Sequence, residues 1–282
     1  MGIKPRLKRS QRQAVANAAP AVVIKTAKAW LNQRQRDAVY LFLLSPPLSG
    51  STAIAQLLRT SPHIAVFPGH NEGQFLPEAA SHLLVDRRWD PTLTVDWPAV
   101  KRIFQSYWSP FKPIKFEKSP PHLARATEVE PVFQPAYFLV TMRNPYAQIE
   151  GLLRRQWPFG VYGPQSSPAP SASPTIAAEF WVRSAQHQQR NLAQLQRTLF
   201  FSYEQLTDQP EQIVHDIINF LPAIGSVNLA AKLDAHNITG QPIRGLENLN
   251  ATKIQNLTSA QIAEINRVLT QHLDLMDFFQ YP

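Results

Sequence analysis

The sequence predicts an α/β fold, a three-layer α/β/α domain around a central, mostly parallel sheet. Apolar runs of five or six residues, bounded by turn residues, read as strands buried on both faces. Longer segments of helical period lie between them, the alternation expected when helices cover both sides of such a sheet. The length of 282 residues with 44% apolar side chains supplies one large core.

The first strand is "VYLFLL" (39–44). It breaks at Pro46-Pro47 and a Ser-Gly-Ser-Thr turn, after which Ser51 to Arg59 forms a helix with Ile54, Leu57 and Leu58 inward. Further strands are "HIAVF" (63–67), "PIKFE" (113–117), "YFLVTM" (137–142) and "TLFFSY" (198–203). A helix opens at Asn144-Pro145, where proline suits the first turn, and runs to about Gln156. Others occupy 175–196 and 208–221, and a last one opens at Thr258 with Gln261 in capping-box spacing and an Ile262, Ile265, Leu269 stripe. Between Gln156 and Thr175, five prolines exclude regular structure. A loop of this length reads as a functional lid or a disordered segment. The expected organisation is a basic, partly helical extension over 1–36 and a single domain over 37–282 with its Pro-rich loop at 156–175.

The formal charge of +8 is a property of the tail. Residues 1–36 hold nine of the 28 Lys and Arg and no acidic residue, so nineteen remain against twenty Asp and Glu. A near-neutral body argues against nucleic acid as a partner. Val23, Ala27, Trp30 and Leu31 share one helical face of the tail, which offers a peripheral contact with an anionic membrane surface. The blander reading packs that helix on the domain. No apolar run is long enough for a membrane span or regular enough for a signal core, and there is no cysteine. A cytoplasmic protein, in the interior or at the membrane surface, is the expectation, with no disulfide framework, thiolate metal site or cysteine nucleophile.

The turn after the first strand carries the chemistry. A strand that ends in small residues and feeds a helix aims several backbone N–H groups and the positive helix end at one point, where an anion belongs. The donors are the N–H groups of Ser49 to Ala53, including Gly50, with the hydroxyls of Ser49, Ser51 and Thr52. A phosphate-binding loop of the NTPase type needs a lysine after its last glycine. Here Ser51 follows Gly50, which excludes an ordinary GTPase or ATPase and leaves a kinase that lost its lysine as a weak reading.

"PLSGST" resembles the 5′-phosphosulfate loop of the sulfotransferases, commonly P-[KR]-S-G-[ST]-[ST], which binds 3′-phosphoadenosine 5′-phosphosulfate (PAPS). "YFLVTMRNPYAQIEGLLRR" is similar to that family's 3′-phosphate segment, and "PIKFEKSPPHLAR", "FFSYEQLTDQPEQIVHDIINFL" and "LNATKIQNLTSAQIAEINRVL" resemble its later segments in the same order. The likeness runs from about Val39 to Leu273 and is closer to the Golgi, bacterial carbohydrate and protein-tyrosine branches than to the cytosolic small-molecule branch.

The resemblance implies a P-loop-like fold and sulfuryl transfer from PAPS to an acceptor hydroxyl on a sugar, lipid, polyketide or peptide, without a metal. It places Arg143 on the 3′-phosphate, where a guanidinium grips bidentately, joined by Arg155. Gly151 falls where the family has a phosphate-binding serine. Tyr203 is implied beside the adenine and Lys118 on the transferring group. For the base it implies Glu72, with His70 and His122 in reserve. Trp157, Phe159 and Tyr162 open the Pro-rich loop and could stack on an acceptor or merely anchor that loop. The sequence departs from the pattern at Leu48, where relatives carry Lys or Arg on the bridging oxygen. Either Lys118, helped by Lys115, Arg87 or Arg88, supplies the whole cationic role, or the protein is a catalytically silent nucleotide-binding relative.

Overall fold

The computed structural model describes residues 37–67, 72–80, 82, 83, 89–156, 172–231, 233 and 246–282. The expectations for the basic tail, His70, Arg87, Arg88 and the aromatics Trp157, Phe159 and Tyr162 lie outside these residues. The chain divides into two units, Met1–Ala38 and Val39–Pro282; the elements below belong to the second.

Five parallel strands form one sheet in the order β2-β3-β1-β4-β5. They are β1 (Val39–Leu44), β2 (Ile64–Ala65), β3 (Ile114–Glu117), β4 (Ala136–Met142) and β5 (Thr198–Ser202). Each falls on a run predicted from the sequence. β2, two residues long, is an edge strand, paired with β3 alone.

The main helices are α1 (Ser51–Arg59), α2 (Trp97–Tyr107), α3 (Pro145–Arg154), α4 (Pro174–Gln194), α5 (Tyr203–Asp208), α6 (Pro210–Phe220), α7 (Asn250–Gln255), α8 (Ser259–Leu269) and α9 (Leu273–Phe278). α1 has the predicted ends, and the Thr258–Gln261 capping box opens α8 as expected. Tyr203, expected to end a strand, instead begins α5, because Ser202 and Gln205 close a capping box there. Sequence patterning missed α2, whose signals are nonetheless local. Asp96 caps it by accepting from the Ala99 N–H at 2.9 Å, and Trp97, Val100 and Phe104 form its buried stripe.

Strand alternation divides the core. Leu41 and Leu43 pack with Ile54 and Leu57 of α1 and Ile213 and Ile217 of α6. Tyr40 and Phe42 face the other way, against Phe133, Phe138 and Trp108. Each such side chain contributes about 1.5–3 kcal/mol by leaving water. No helix among the described residues is long and apolar enough to cross a membrane.

The strand order decides where a site can form. β3 and β2 lie on one side of β1, β4 and β5 on the other, so the winding direction reverses at β1. Ligands of open parallel sheets bind in the crevice beyond the carboxyl ends of the strands at such a reversal. The turn after β1, Lys118 after β3, Arg143 after β4 and Tyr203 after β5 all sit at that edge, on strands about 4.8 Å apart.

Candidate active site

The turn between β1 and α1 is tied down by its carbonyl groups. The Nε2 of Gln148 donates to the Pro47 carbonyl at 3.0 Å, Nη1 of Arg143 to the Leu48 carbonyl at 3.0 Å, and Nε2 of Gln188 to the Leu44 carbonyl at 2.6 Å. The carbonyl groups of the β1 end and of the turn are thus committed to α3, α4 and the residue that follows β4. Two of the expected donors are used internally. Ser49 N–H donates to the Pro46 carbonyl at 3.3 Å and Ala53 N–H to the Gly50 carbonyl at 2.9 Å. The donors of the helix start are therefore the N–H groups of Gly50, Ser51 and Thr52.

Gly50 precedes α1 with φ 85°, in the left-handed region. A Cβ there would also lie 2.5 Å from the Tyr203 ring, so glycine is required twice over. Gly50→Ala is expected to cost about 1–2 kcal/mol from the backbone alone, and more from displacing the ring. A clear fall in melting temperature checks this; an unchanged one would mean that the turn relaxes freely. Leu48 is left-handed as well, with φ 65°.

Arg143 stands at the end of β4, 4% exposed. Its guanidinium lies 3.9 Å from the centre of the Tyr203 ring, its Nε donates to Asn250 Oδ1 at 2.8 Å, and its Nη1 holds Leu48. Nη2 has no partner among the described residues, and neither has the buried Oγ of Ser49 in the facing turn. A buried cationic nitrogen left unpaired is costly. Burial lowers the Arg143 pKa, but a guanidinium remains protonated at ordinary pH. The Leu48 carbonyl and the Tyr203 ring thus tie Arg143 to the turn that holds Gly50.

Tyr203 is a strut in this arrangement. Its hydroxyl donates to the Glu247 carbonyl at 2.6 Å and accepts from Leu249 N–H at 3.3 Å, while its ring supports Gly50 and Arg143. The following Glu204 accepts from Asn144 N–H at 2.9 Å, Asn250 Nδ2 at 2.5 Å and Tyr281 Oη at 3.2 Å. It joins the start of α3 to α7 and the C-terminal residues. A cavity of about 520 Å³ borders Asn144 and Glu204 and is lined largely by Phe200, Phe278, Phe279 and Tyr281; Ser51 and Arg143 do not line it.

Gly151 explains what replaces the family's serine. The point where its Cβ would lie is 3.1 Å from Leu48 Cδ1 and 3.3 Å from Lys253 Nζ. Lys253 reaches this point from α7, paired with Glu150 at 2.9 Å. Burial lowers its pKa, and the hydrogen bond to Glu150 opposes that. Sequence reasoning missed Lys253, because nothing local in "LNATKIQ" points to α3. Arg155 is exposed beyond the end of α3, one turn past Gly151.

A second group lies at the end of β3. Lys118 Nζ and Glu72 Oε1 form an ion pair at 2.5 Å, with side chains 3% and 12% exposed. The other Glu72 oxygen accepts from Gln74 Nε2. Lys115 does not assist Lys118: it is spent on the Ser109 and Lys112 carbonyls at 2.5 and 2.7 Å, away from the strand's carboxyl end. His122 is buried against Phe42, Trp97 and Phe104. Desolvation, with the Arg125 charge, lowers its pKa to about 3, so it stays neutral and packed in the core. Lys118 and Glu72 are thus brought together.

A parallel sheet with a small-residue turn and a helix start at its reversal point defines a P-loop-like α/β protein. The model of the sulfotransferase family matches residues 41–223, well over half of the chain, and the chain belongs to that family. The sulfotransferase domain from the curacin biosynthetic pathway superposes with a TM-score of 0.53 at 19% identity, over 83% of this chain and 97% of that one. A sulfotransferase from Alicyclobacillus acidocaldarius gives 0.52 at 15%, over 86% and 96%. At these identities the likeness shows the fold. No curated protein sequence matches.

Proposed function

We propose that this chain transfers the sulfuryl group of PAPS to an acceptor hydroxyl. One observation carries the reading: two buried polar atoms without partners among the described residues, Ser49 Oγ and Arg143 Nη2, lie just past the carboxyl ends of the adjacent strands β1 and β4, beside the N–H groups that open α1. A doubly phosphorylated adenosine satisfies both ends. Ser49, Gly50, Ser51 and Thr52 hold the phosphosulfate end. Arg143 holds the 3′-phosphate, with Lys253 in the place of the family's serine and Arg155 as an outer cation. Tyr203 fixes Arg143 and offers its remaining surface to the base.

The donor supplies an activated sulfuryl group on a phosphate leaving group; the chain's residues do the rest. Glu72, held by Gln74 and Lys118, takes the proton of the acceptor hydroxyl as its oxygen bonds to sulfur. Lys118 neutralises the charge that builds on the oxygen bridging sulfur and phosphorus as that bond breaks. Leu48 cannot do so: its side chain packs on Gly151. Among the described residues, Lys118 is the cation left for the bridging oxygen.

Incubation with PAPS and a panel of hydroxylated sugars, lipids, polyketides and peptides tests the reading by release of 3′-phosphoadenosine 5′-phosphate. Sulfated product on at least one acceptor class is expected, with ATP at equal concentration competing weakly. Tight binding with no turnover on any acceptor would instead favour a silent relative.

A further inference from the structure

Glu117, the last residue of β3, is fully buried, and the chemistry above does not use it. Its Oε2 accepts from Gly73 N–H at 3.1 Å and from Lys118 N–H at 2.7 Å, and its Oε1 accepts from Ser119 N–H at 2.9 Å. Three main-chain donors on one carboxylate is an unusual commitment, because a buried carboxylate is expensive unless its oxygens are satisfied. An apolar residue here would instead leave three buried N–H groups unpaired.

The donors identify what the carboxylate does. Gly73 directly follows Glu72, and Lys118 and Ser119 form the exit from β3. Forty-four residues separate Glu117 from Gly73 along the chain, so the contact is tertiary. A second link runs in parallel, Gln74 N–H to Ser119 Oγ at 3.1 Å. The Glu72–Lys118 ion pair thus sits on a frame of main-chain hydrogen bonds that does not depend on either side chain.

We infer that Glu117 is a positioning residue: its carboxylate fixes the spacing between the turn that carries Glu72 and the turn that carries Lys118. It acts through the backbone and touches no reacting atom. This inference rests on the roles proposed above for those two residues.

The surroundings penalise the charge of this carboxylate, and the three main-chain N–H groups that hold it offset that penalty. Burial raises its pKa to about 7, against the bonds from Ser119 and Gly73, and the nearby Glu72 charge adds to the rise. His122 Nδ1 lies 3.3 Å from Oε1. The charge that acts on it is that of Glu72, with the neutral His122 on another side and Arg125 beyond His122.

The experiment compares Glu117→Gln with wild type in two readouts. Glutamine keeps the shape and one acceptor oxygen, but sets an amide N–H₂ against a main-chain N–H. The first readout is kcat with nucleotide affinity: kcat is expected to fall roughly 10- to 100-fold with affinity within a few-fold of wild type. The second is the acylation rate of Lys118 by an amine-reactive ester, mapped by mass spectrometry on the nucleotide-free protein. It is expected to rise several-fold as the ion pair loosens. Unchanged labelling together with unchanged kcat overturns the inference, as does a fall in kcat matched by an equal loss of nucleotide binding. If wild type turns over no acceptor but labelling still rises in the variant, the proposed function fails and the positioning role stands. Should Glu117→Gln not fold, Glu117→Asp, which keeps the charge but shortens the reach, is read in the same way.

Discussion

Replacing Lys118 with alanine is expected to slow turnover at least ~100-fold while nucleotide affinity barely moves. One fixed donor aimed at developing charge in a water-poor site is typically worth about 3–4 kcal/mol. The effect belongs at the upper end because Leu48 offers no second cation at the bridging oxygen. The loss should appear in kcat and kcat/KM equally, the sign of an interaction made in the transition state. Since Lys118 also pairs with Glu72 at 2.5 Å, the variant alone does not separate charge neutralisation from the holding of the base. A double-mutant cycle does. If Lys118 served only to hold Glu72, then Lys118→Ala on top of Glu72→Gln would cost nothing further. A double variant slower than Glu72→Gln assigns Lys118 a role of its own; equality removes that role.

Arg143→Ala is expected to weaken binding of a 3′-phosphorylated nucleotide by about 2–3 kcal/mol, the scale of a hydrogen-bonded contact between charged groups. The alanine variant also releases the Leu48 carbonyl and uncovers Tyr203, so some general loosening accompanies it. The informative quantity is therefore the ratio of affinities for adenosine nucleotides with and without a 3′-phosphate. That ratio should collapse in Arg143→Ala. It should fall less in Lys253→Ala, because the Lys253 ammonium is already shared with Glu150 at 2.9 Å. A ratio that survives the arginine substitution would place the 3′-phosphate elsewhere, and with it the proposed orientation of the nucleotide.

The elements that frame the candidate site were legible because their signals are local. Strand β1, the break at Pro46-Pro47, the Ser-Gly-Ser-Thr turn and both ends of α1 follow from a short apolar run, two prolines and a glycine. Arg143 at the end of β4 and the proline start of α3 follow in the same way. Helix α2 was missed although Asp96 and Pro98 mark its start. Tyr203 was read as the last residue of a strand, although Ser202 and Gln205 have the spacing of a capping box.

The sequence by itself determined the run of five strands along the chain, the turn able to receive an anion, and the residues at the strand ends with chemistry to offer. Periodicity, caps and turn residues act over a few positions, so one dimension suffices to read them. Only the tertiary structure decided how those residues work together. It alone bound the Leu48 carbonyl to an arginine 95 positions away, set Lys253 against Gly151, turned Lys115 away from Lys118, and joined the Glu72 and Lys118 turns through Glu117. Each of these depends on which strands and helices lie side by side in the fold, where neighbours in space are separated in the chain by whole elements.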